Sequence, residues 1–363
     1  MDIYAKRLAN VQELMLQENI DYLVLAPTTN MFYLTGLKTV ADERLQVAIL
    51  PARGPLTLVL PEMYRETAKK IRVSHQLLTW ADNQNPVDLV RSAVTDRGGR
   101  AAIDDRMWAG HLLQIMQVFN GFQFVAAQKV MSRARVCKDE IELGLLAQSG
   151  ELADAVMKEA MQEIRVGMTE KQLAFFIENK VKALGGDDIS FKPIVASGPN
   201  GALPHHCPGD RKFEQGDFIV VDFGALLQGY CSDITRTFCL GKAGQESKKI
   251  YLAVKEANEA GFKAVSNGIA CQDVDKAARG AINRAGYGDY FIHRTGHGIG
   301  LDYHEDPYLV EGNSAPLLPG MVFSVEPGIY LAGRMGVRIE DIVALTVDGP
   351  RRFNNFPREL IEV

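Results

Sequence analysis

A chain of 363 residues is longer than one ordinary core organises, so two domains are expected. A hydrophobic fraction of 47% with 23% charged residues excludes a disordered chain, and a net charge of −5 without any Lys/Arg run excludes a nucleic-acid surface. The opening Met-Asp-Ile-Tyr-Ala-Lys-Arg has no apolar signal core, and no later apolar stretch reaches the roughly 18 residues of a membrane helix, so a cytoplasmic protein without a membrane partner is expected.

Ile3, Leu8, Val11, Leu14 and Met15 stand at helical spacing, which predicts a helix over 2–18 ending near Asn19. A strand at Tyr22-Leu-Val-Leu-Ala follows, then apolar runs at 46–50 and 56–60 on either side of a Pro51–Pro55 turn, then a polar helical stretch after Pro61. These predict a small α/β domain, residues 1–132, with its boundary inside 131–137. A long helix is predicted from Lys138 to about Ile164. Gly167 breaks it, and Thr169 opens another helix as an N-cap with Gln172 three residues on. Strands at 189–196, 217–224, 230–240, 321–326 and 337–345 then alternate with helices near 244–266 and 271–285. Hairpin-like strand pairs among helices predict an α+β domain over 133–363 rather than a doubly wound sheet. The five cysteines include no Cys-x-x-Cys pair and are expected as free thiols.

Five residues in this second segment carry the chemistry. They lie in Val-Val-Asp222-Phe-Gly, Cys-Ser-Asp233-Ile-Thr-Arg-Thr, Thr-Gly-His297-Gly-Ile-Gly, Ser-Val-Glu326-Pro-Gly and Val-Arg-Ile-Glu340-Asp. Carboxylates in apolar strand-like runs are costly to bury unless paired, protonated or bound to a cation. Four carboxylates and a neutral imidazole are neutralised by two divalent cations, which suggests a dinuclear site. Oxygen-rich donors with one imidazole suit Mn, Co, Fe or Zn, with preference for the harder ions. A hairpin folded about Leu227–Gln228 sets Asp222 opposite Asp233, and one centred on Gly333 sets Glu326 opposite Glu340. The glycines around His297 are read as allowing a tight backbone turn. His293 and His297 imitate a helical zinc pair, but Arg294 stands where a zincin needs Glu, and Gly296 interrupts the helix. His205 and His304 are candidate donors to an oxyanion, whereas His206 is read as a surface residue.

These motifs together resemble the pita-bread metallopeptidases, the group of methionine aminopeptidase, aminopeptidase P and prolidase. The preceding segment resembles the N-terminal domain shared by creatinase, aminopeptidase P and prolidase, with Asn30–Gly36 similar to that family's characteristic turn. The resemblance implies a smaller creatinase-type α/β domain followed by a pita-bread catalytic domain. It implies two divalent ions, manganese foremost, with Asp222 and Asp233 on one, Asp233 and Glu340 bridging, and His297 and Glu326 completing the set. It further implies hydrolysis of Xaa-Pro bonds in proline-containing peptides, with His205 and His304 at substrate-contacting positions; for that reaction Glu326 is expected as proton shuttle, His304 at the oxyanion and His205 on the proline side. His293, Tyr308 and Arg338 are candidate substrate-binding residues, Arg338 pairing with a ligand carboxylate or with Asp341, and a homodimer is expected. Tyr308 stands where prolidases of this kind carry an arginine, so an Xaa-Pro aminopeptidase is expected ahead of an Xaa-Pro dipeptidase. A non-catalytic binding protein on the same fold is the alternative of a different class.

Overall fold

The helix expected at the start of the chain is α1 (Ile3–Gln17), in a computed structural model that describes residues 3–363. It buries Val11, Leu14 and Met15 and ends where Asn19 takes a left-handed φ of 53°. Then follow β1 (Tyr22–Leu25), α2 (Thr29–Thr35), β2 (Val47–Pro51), β3 (Leu56–Pro61), α3 (Arg65–Ala68), β4 (His75–Trp80), α4 (Pro86–Ser92), β5 (Gly99–Ile103), α5 (Ala109–Val118), β6 (Phe122–Ala126) and α6 (Gln128–Arg135). The strands form one mixed sheet in the order β4-β3-β2-β1-β5-β6. β1 is buried along its length between antiparallel β2 and parallel β5, which is why it reads as an unbroken apolar run. The turn expected at Asn30–Gly36 is instead the helix α2. Thr28 caps it by accepting from the Asn30 N–H, Met31, Tyr33 and Leu34 bury, and Gly36 closes it at φ 70°. This unit ends at Arg135.

The second unit, from Val136 on, opens with α7 (Glu140–Glu163) and α8 (Glu170–Ala183). Asp139 and Thr169 each form a complete capping box, with Glu142 and Gln172 respectively. There follow β7 (Asp188–Ile189), β8 (Ile194–Ser197), β9 (Phe218–Phe223), β10 (Ala225–Leu227), β11 (Tyr230–Cys231), β12 (Ile234–Cys239), α9 (Gln245–Ala264), α10 (Cys271–Arg284), β13 (Gly296–Gly298), β14 (Glu305–Leu309), β15 (Val322–Val325), β16 (Gly328–Leu331), β17 (Met335–Arg338), β18 (Asp341–Thr346), β19 (Gly349–Arg352) and β20 (Ile361–Glu362). Two larger sheets, β20-β12-β9-β8 and β14-β13-β15-β18-β19, meet at a single bridge between Thr235 and Glu340. α7 and α8 cover the first through Met157, Ile177, Val221 and Phe238. The start of α10 and the residues beyond α9 cover the second through Val265, Val274, Phe323 and Val343.

The two halves repeat one plan. Gly167 and Gly268, both at φ 84°, separate the helices of each pair, and Thr169 and Ala270 each make one antiparallel bridge, to Lys212 and Pro316. Gly216 (φ 91°) and Gly320 (φ 92°) then lead into β9 and β15, whose far ends bear Asp222 and Glu326. The α+β architecture expected for this segment is present.

One buried arginine ties the sheets together. Arg236 on β12 donates to the carbonyls of Thr235 (2.9 Å), Glu340 (2.6 Å), Phe356 (2.7 Å) and Pro357 (2.9 Å) and to the Asp341 carboxylate (2.7 Å). Arg352 and Arg358 hold the other Asp341 oxygen, each at 3.2 Å. Among the described residues no helix is long and apolar enough to cross a membrane. Replacing Arg236 by Met is expected to lower stability by about 3–5 kcal/mol, because it removes one partner of a buried ion pair and orphans several carbonyls. Urea unfolding measures this, and a loss below about 1 kcal/mol would show that Arg352 and Arg358 suffice.

Candidate metal centre

The first acid pair is set by a turn one position later than expected. Gln228 (φ 51°) and Gly229 (φ 92°) occupy its two left-handed positions, so Leu227 pairs with Tyr230 and the ladder puts Asp222 opposite Thr235. Asp222 and Asp233 are therefore diagonal neighbours rather than direct partners. A shift of two in the pairing leaves both on the same face, because side chains alternate with period two. The second pair follows the expected register about Gly333. Val325 pairs with Asp341 and Gly328 with Arg338, which leaves Glu326 and Glu340 facing one another. There the strands part: the Glu326 N–H donates to Thr295 O (2.8 Å) and the Glu340 N–H to Thr235 O (3.1 Å), while Pro327 has no N–H to offer.

His297 arrives on β13. The flanking glycines do not turn the chain; they make room. A Cβ on Gly296 would lie 1.9 Å from Ser324 O, and one on Gly298 would lie 2.1 Å from Asp306 O. The ring's Nδ1 lies 3.1 Å from Gly298 O, an acceptor only, so Nδ1 carries the proton and Nε2 presents its lone pair. That Nε2 is 3.3 Å from Glu326 Oε1 and 3.8 Å from Asp233 Oδ2.

All five residues line one cavity of about 810 Å³, together with His205, His293, Arg294, His304 and Arg338. Ligand atoms of Asp233, His297 and Glu340 lie within 4.8 Å of one another, close enough to share a cation. Asp222 Oδ1, Asp233 Oδ1 and Glu340 Oε1 are buried without a hydrogen-bond partner. Bare carboxylate oxygens converging beside an imidazole lone pair are what a divalent cation requires, so the donor set fits. Burial, reinforced by repulsion from Glu340, Asp222 and Glu326, holds the Asp233 carboxyl well above its ordinary range. Burial and repulsion from Glu326 and Asp222 do the same to Glu340, against hydrogen bonding from Thr235 and the charge of Arg338. Burial pushes Glu326 up to about 7, and His297 is held well below its usual value by burial and by neighbouring His304.

Arg338 is committed to the protein. Its guanidinium pairs with Asp222, Nη1 donates to Tyr330 Oη (2.9 Å) and Nε to Thr235 Oγ1 (3.2 Å). Of its two expected partners, Asp222 rather than Asp341 holds it. His293 is also engaged at both nitrogens: Nδ1 lies 2.7 Å from Arg294 O, and Nε2 lies 2.8 Å from Tyr330 Oη. Neither ring nitrogen is left to bind a substrate. Burial brings His304 down to about 4, so at neutral pH it is an uncharged imidazole able to donate one N–H. His205 is exposed on the cavity rim. His206 is not a free surface residue, because its Nε2 lies 2.7 Å from the fully buried Glu170.

Tyr308 does not line the cavity; Arg294 does. The Arg294 guanidinium lies 4.4 Å above the Tyr308 ring, and no carboxylate among the described residues pairs with it. His-Arg-Thr-Gly-His was the only sequence signal for it. Its place depends on the β13–β14 pairing, in which His297 faces Tyr308 ahead of a bulge.

Residues 144–347 match the model of metallopeptidase family M24, and residues 7–137 match the creatinase/prolidase N-terminal domain. The chain belongs to this pita-bread metallopeptidase family. It is similar to a probable dipeptidase, PepE, of Mycobacterium tuberculosis, at 38% identity over 100% of this chain and 97% of that protein. It is also similar to a prolidase of Thermococcus sibiricus, with 41% identity, 100% coverage of both chains and a TM-score of 0.96. A dipeptidase of Pyrococcus horikoshii matches with 41% identity and a TM-score of 0.94, over 98% of this chain and 100% of its own.

The raised acids have a measurable consequence in protein stripped of metal. A carboxyl whose folded pKa exceeds its unfolded value adds stability below the unfolded pKa, about 4, and loses it as pH rises through the folded pKa. For Glu326 that loss extends to about 7. Metal-free protein is therefore expected to melt at progressively lower temperature from about pH 4 to 7, and Glu340→Gln is expected to raise its melting temperature at pH 7. A melting temperature unaffected by Glu340→Gln would contradict the crowding of charge.

Proposed function

We propose that this chain is a metal-dependent Xaa-Pro dipeptidase. The observation that carries the choice is Arg294, an unpaired guanidinium on the cavity wall, braced by the Tyr308 ring at 4.4 Å. The expectation of an aminopeptidase rested on Tyr308 occupying the place of a substrate-carboxylate arginine, and Arg294 supplies that group from the neighbouring strand region. The similarity to proteins named dipeptidase and prolidase favours the same reading.

Asp222, Asp233, His297, Glu326 and Glu340 would hold two divalent cations, manganese ahead of cobalt, zinc or iron because oxygen donors dominate. Such ions supply Lewis acidity at the scissile carbonyl and acidify water toward neutral pH. Glu326 has a side chain 15% exposed, against 9% for Asp222 and 5% for Asp233, so it is the acid placed to exchange protons with water in the cavity. It takes the proton of the attacking water and returns it to the prolyl nitrogen, which departs as an amine. His304 donates its N–H to the carbonyl oxygen as negative charge develops there. His205, at the rim, orients the proline side. Arg294 binds the free carboxylate through charge-assisted hydrogen bonds.

Turnover of Ala-Pro against Ala-Pro-Ala, with manganese added, tests this reading. The dipeptide is expected to be cleaved and the tripeptide spared, and Arg294→Ala is expected to raise KM for Ala-Pro roughly 10- to 100-fold, the worth of a charged hydrogen bond. Equal cleavage of both peptides would return the assignment to an Xaa-Pro aminopeptidase, and an unchanged KM would remove Arg294 from the substrate site.

A further inference from the structure

One carboxylate outside the metal centre is as deeply buried as any in the unit and is fully hydrogen-bonded. Glu170 sits in the first turn of α8 with its side chain 0% exposed. Its Oε1 accepts from the Ser197 N–H (2.8 Å), Ser197 Oγ (2.7 Å) and Asn200 Nδ2 (3.0 Å). Its Oε2 is 2.7 Å from His206 Nε2 and accepts from the Gly209 N–H (3.0 Å). Ser197 and Gly209 are the two ends of one loop, and Asn200 and His206 are inside it. A single carboxylate therefore closes the loop and pins its middle. Backbone bonds from Glu170 N to Arg211 O (3.2 Å) and from Lys171 N to Gly209 O (3.1 Å) fasten the same end to the helix. Arg211 braces the entry by donating to Ser197 Oγ (2.7 Å).

The loop carries Pro204, His205 and the pinned His206, and all three line the cavity. His205 itself is exposed. Holding His206 against Glu170 fixes the backbone immediately beside His205, and with it the place from which His205 projects at the rim.

We propose that Glu170 is a positioning residue for substrate binding: by closing the Ser197–Gly209 loop and gripping His206, it holds His205 in place at the rim of the active site. This rests on the proposed function for the role of His205 and for the assay substrate. An aspartate in its place would be a methylene too short to reach both ends of the loop. A glutamine would place an amide N–H against either the Gly209 N–H or the Ser197 and Asn200 donors, leaving one side of the clasp unmade.

The test is a double-mutant cycle on full-length, manganese-loaded enzyme with Ala-Pro as substrate, using Glu170→Gln and His205→Ala singly and together. Glu170→Gln is expected to keep its metal content and to lower kcat/KM roughly 10- to 100-fold, the cost of displacing a positioned group by about an ångström. In the His205→Ala background the same change is expected to cost less than about 2-fold, because the two residues act as a unit. Equal losses in both backgrounds, or loss of metal in Glu170→Gln, would overturn the proposal. Should Glu170→Gln fail to fold, His206→Ala, which removes one contact of the clasp, takes its place in the same cycle with the same criteria. Hydrogen exchange of the 198–208 amides is read in parallel and needs no turnover. Faster exchange there in Glu170→Gln is expected, and unchanged exchange would overturn the clasp even if Ala-Pro proves not to be a substrate.

Discussion

Mutual repulsion among buried carboxylates governs the second unit. Asp222, Asp233, Glu326 and Glu340 are gathered in one cavity where the permanent positive charge in direct contact with them is the Arg338 guanidinium on Asp222. The imidazole beside them is held neutral by burial. At the low effective dielectric of such a site, like charges a few ångströms apart cannot all ionise at ordinary pH without compensation. The surroundings make sense as a frame that forces this arrangement. Strands part at Glu326 and Glu340, Arg236 grips the Glu340 carbonyl, and three arginines converge on the adjacent Asp341. Asp341 is thus fully paired immediately next to acids of which Asp222, Asp233 and Glu340 each keep one buried oxygen bare.

The repeated plan explains how a chain achieves this economically. Each half supplies a helix pair and a hairpin, and each hairpin contributes two acids where its strands run out. Because the ends of β9 and β15 follow left-handed glycines at corresponding places, the same local chain path delivers Asp222 in one half and Glu326 in the other. The single bridge between Thr235 and Glu340, with the Thr235 hydroxyl donating to Glu340 Oε2 at 2.6 Å, then joins the two acid pairs. Histidine enters from a third strand, where glycine is required by neighbouring carbonyls rather than by backbone torsion.

Legibility in the sequence followed range of interaction. The capped helices α7 and α8, the α+β character and the hairpin about Gly333 depend on local patterns and were readable. The register of the other hairpin was not, because a type I′ turn can begin on Gln228, which no turn preference singles out. Gathering of the five donors was readable from their motifs. Arg294 reads in the sequence only as an obstacle to a zincin, since its value lies in stacking on Tyr308 across a bulged strand pair. Glu170 and His206 were invisible for a similar reason: their pairing spans 36 residues and is made by a loop returning to a helix start. The expected turn at Asn30–Gly36 failed differently, because Thr28, just outside the motif, caps it into a helix.

In the function proposed above, the crowded acids hold two cations on one side of a peptide pocket. Calorimetric titration of manganese into metal-stripped protein, with metal content checked by elemental analysis after desalting, tests it directly. Two ions per chain are expected in the native protein and loss of both in Asp233→Asn, whose carboxylate lies within 4.8 Å of the donor atoms of His297 and Glu340. A stoichiometry of two that survives Asp233→Asn, or no binding by the native chain, would contradict it.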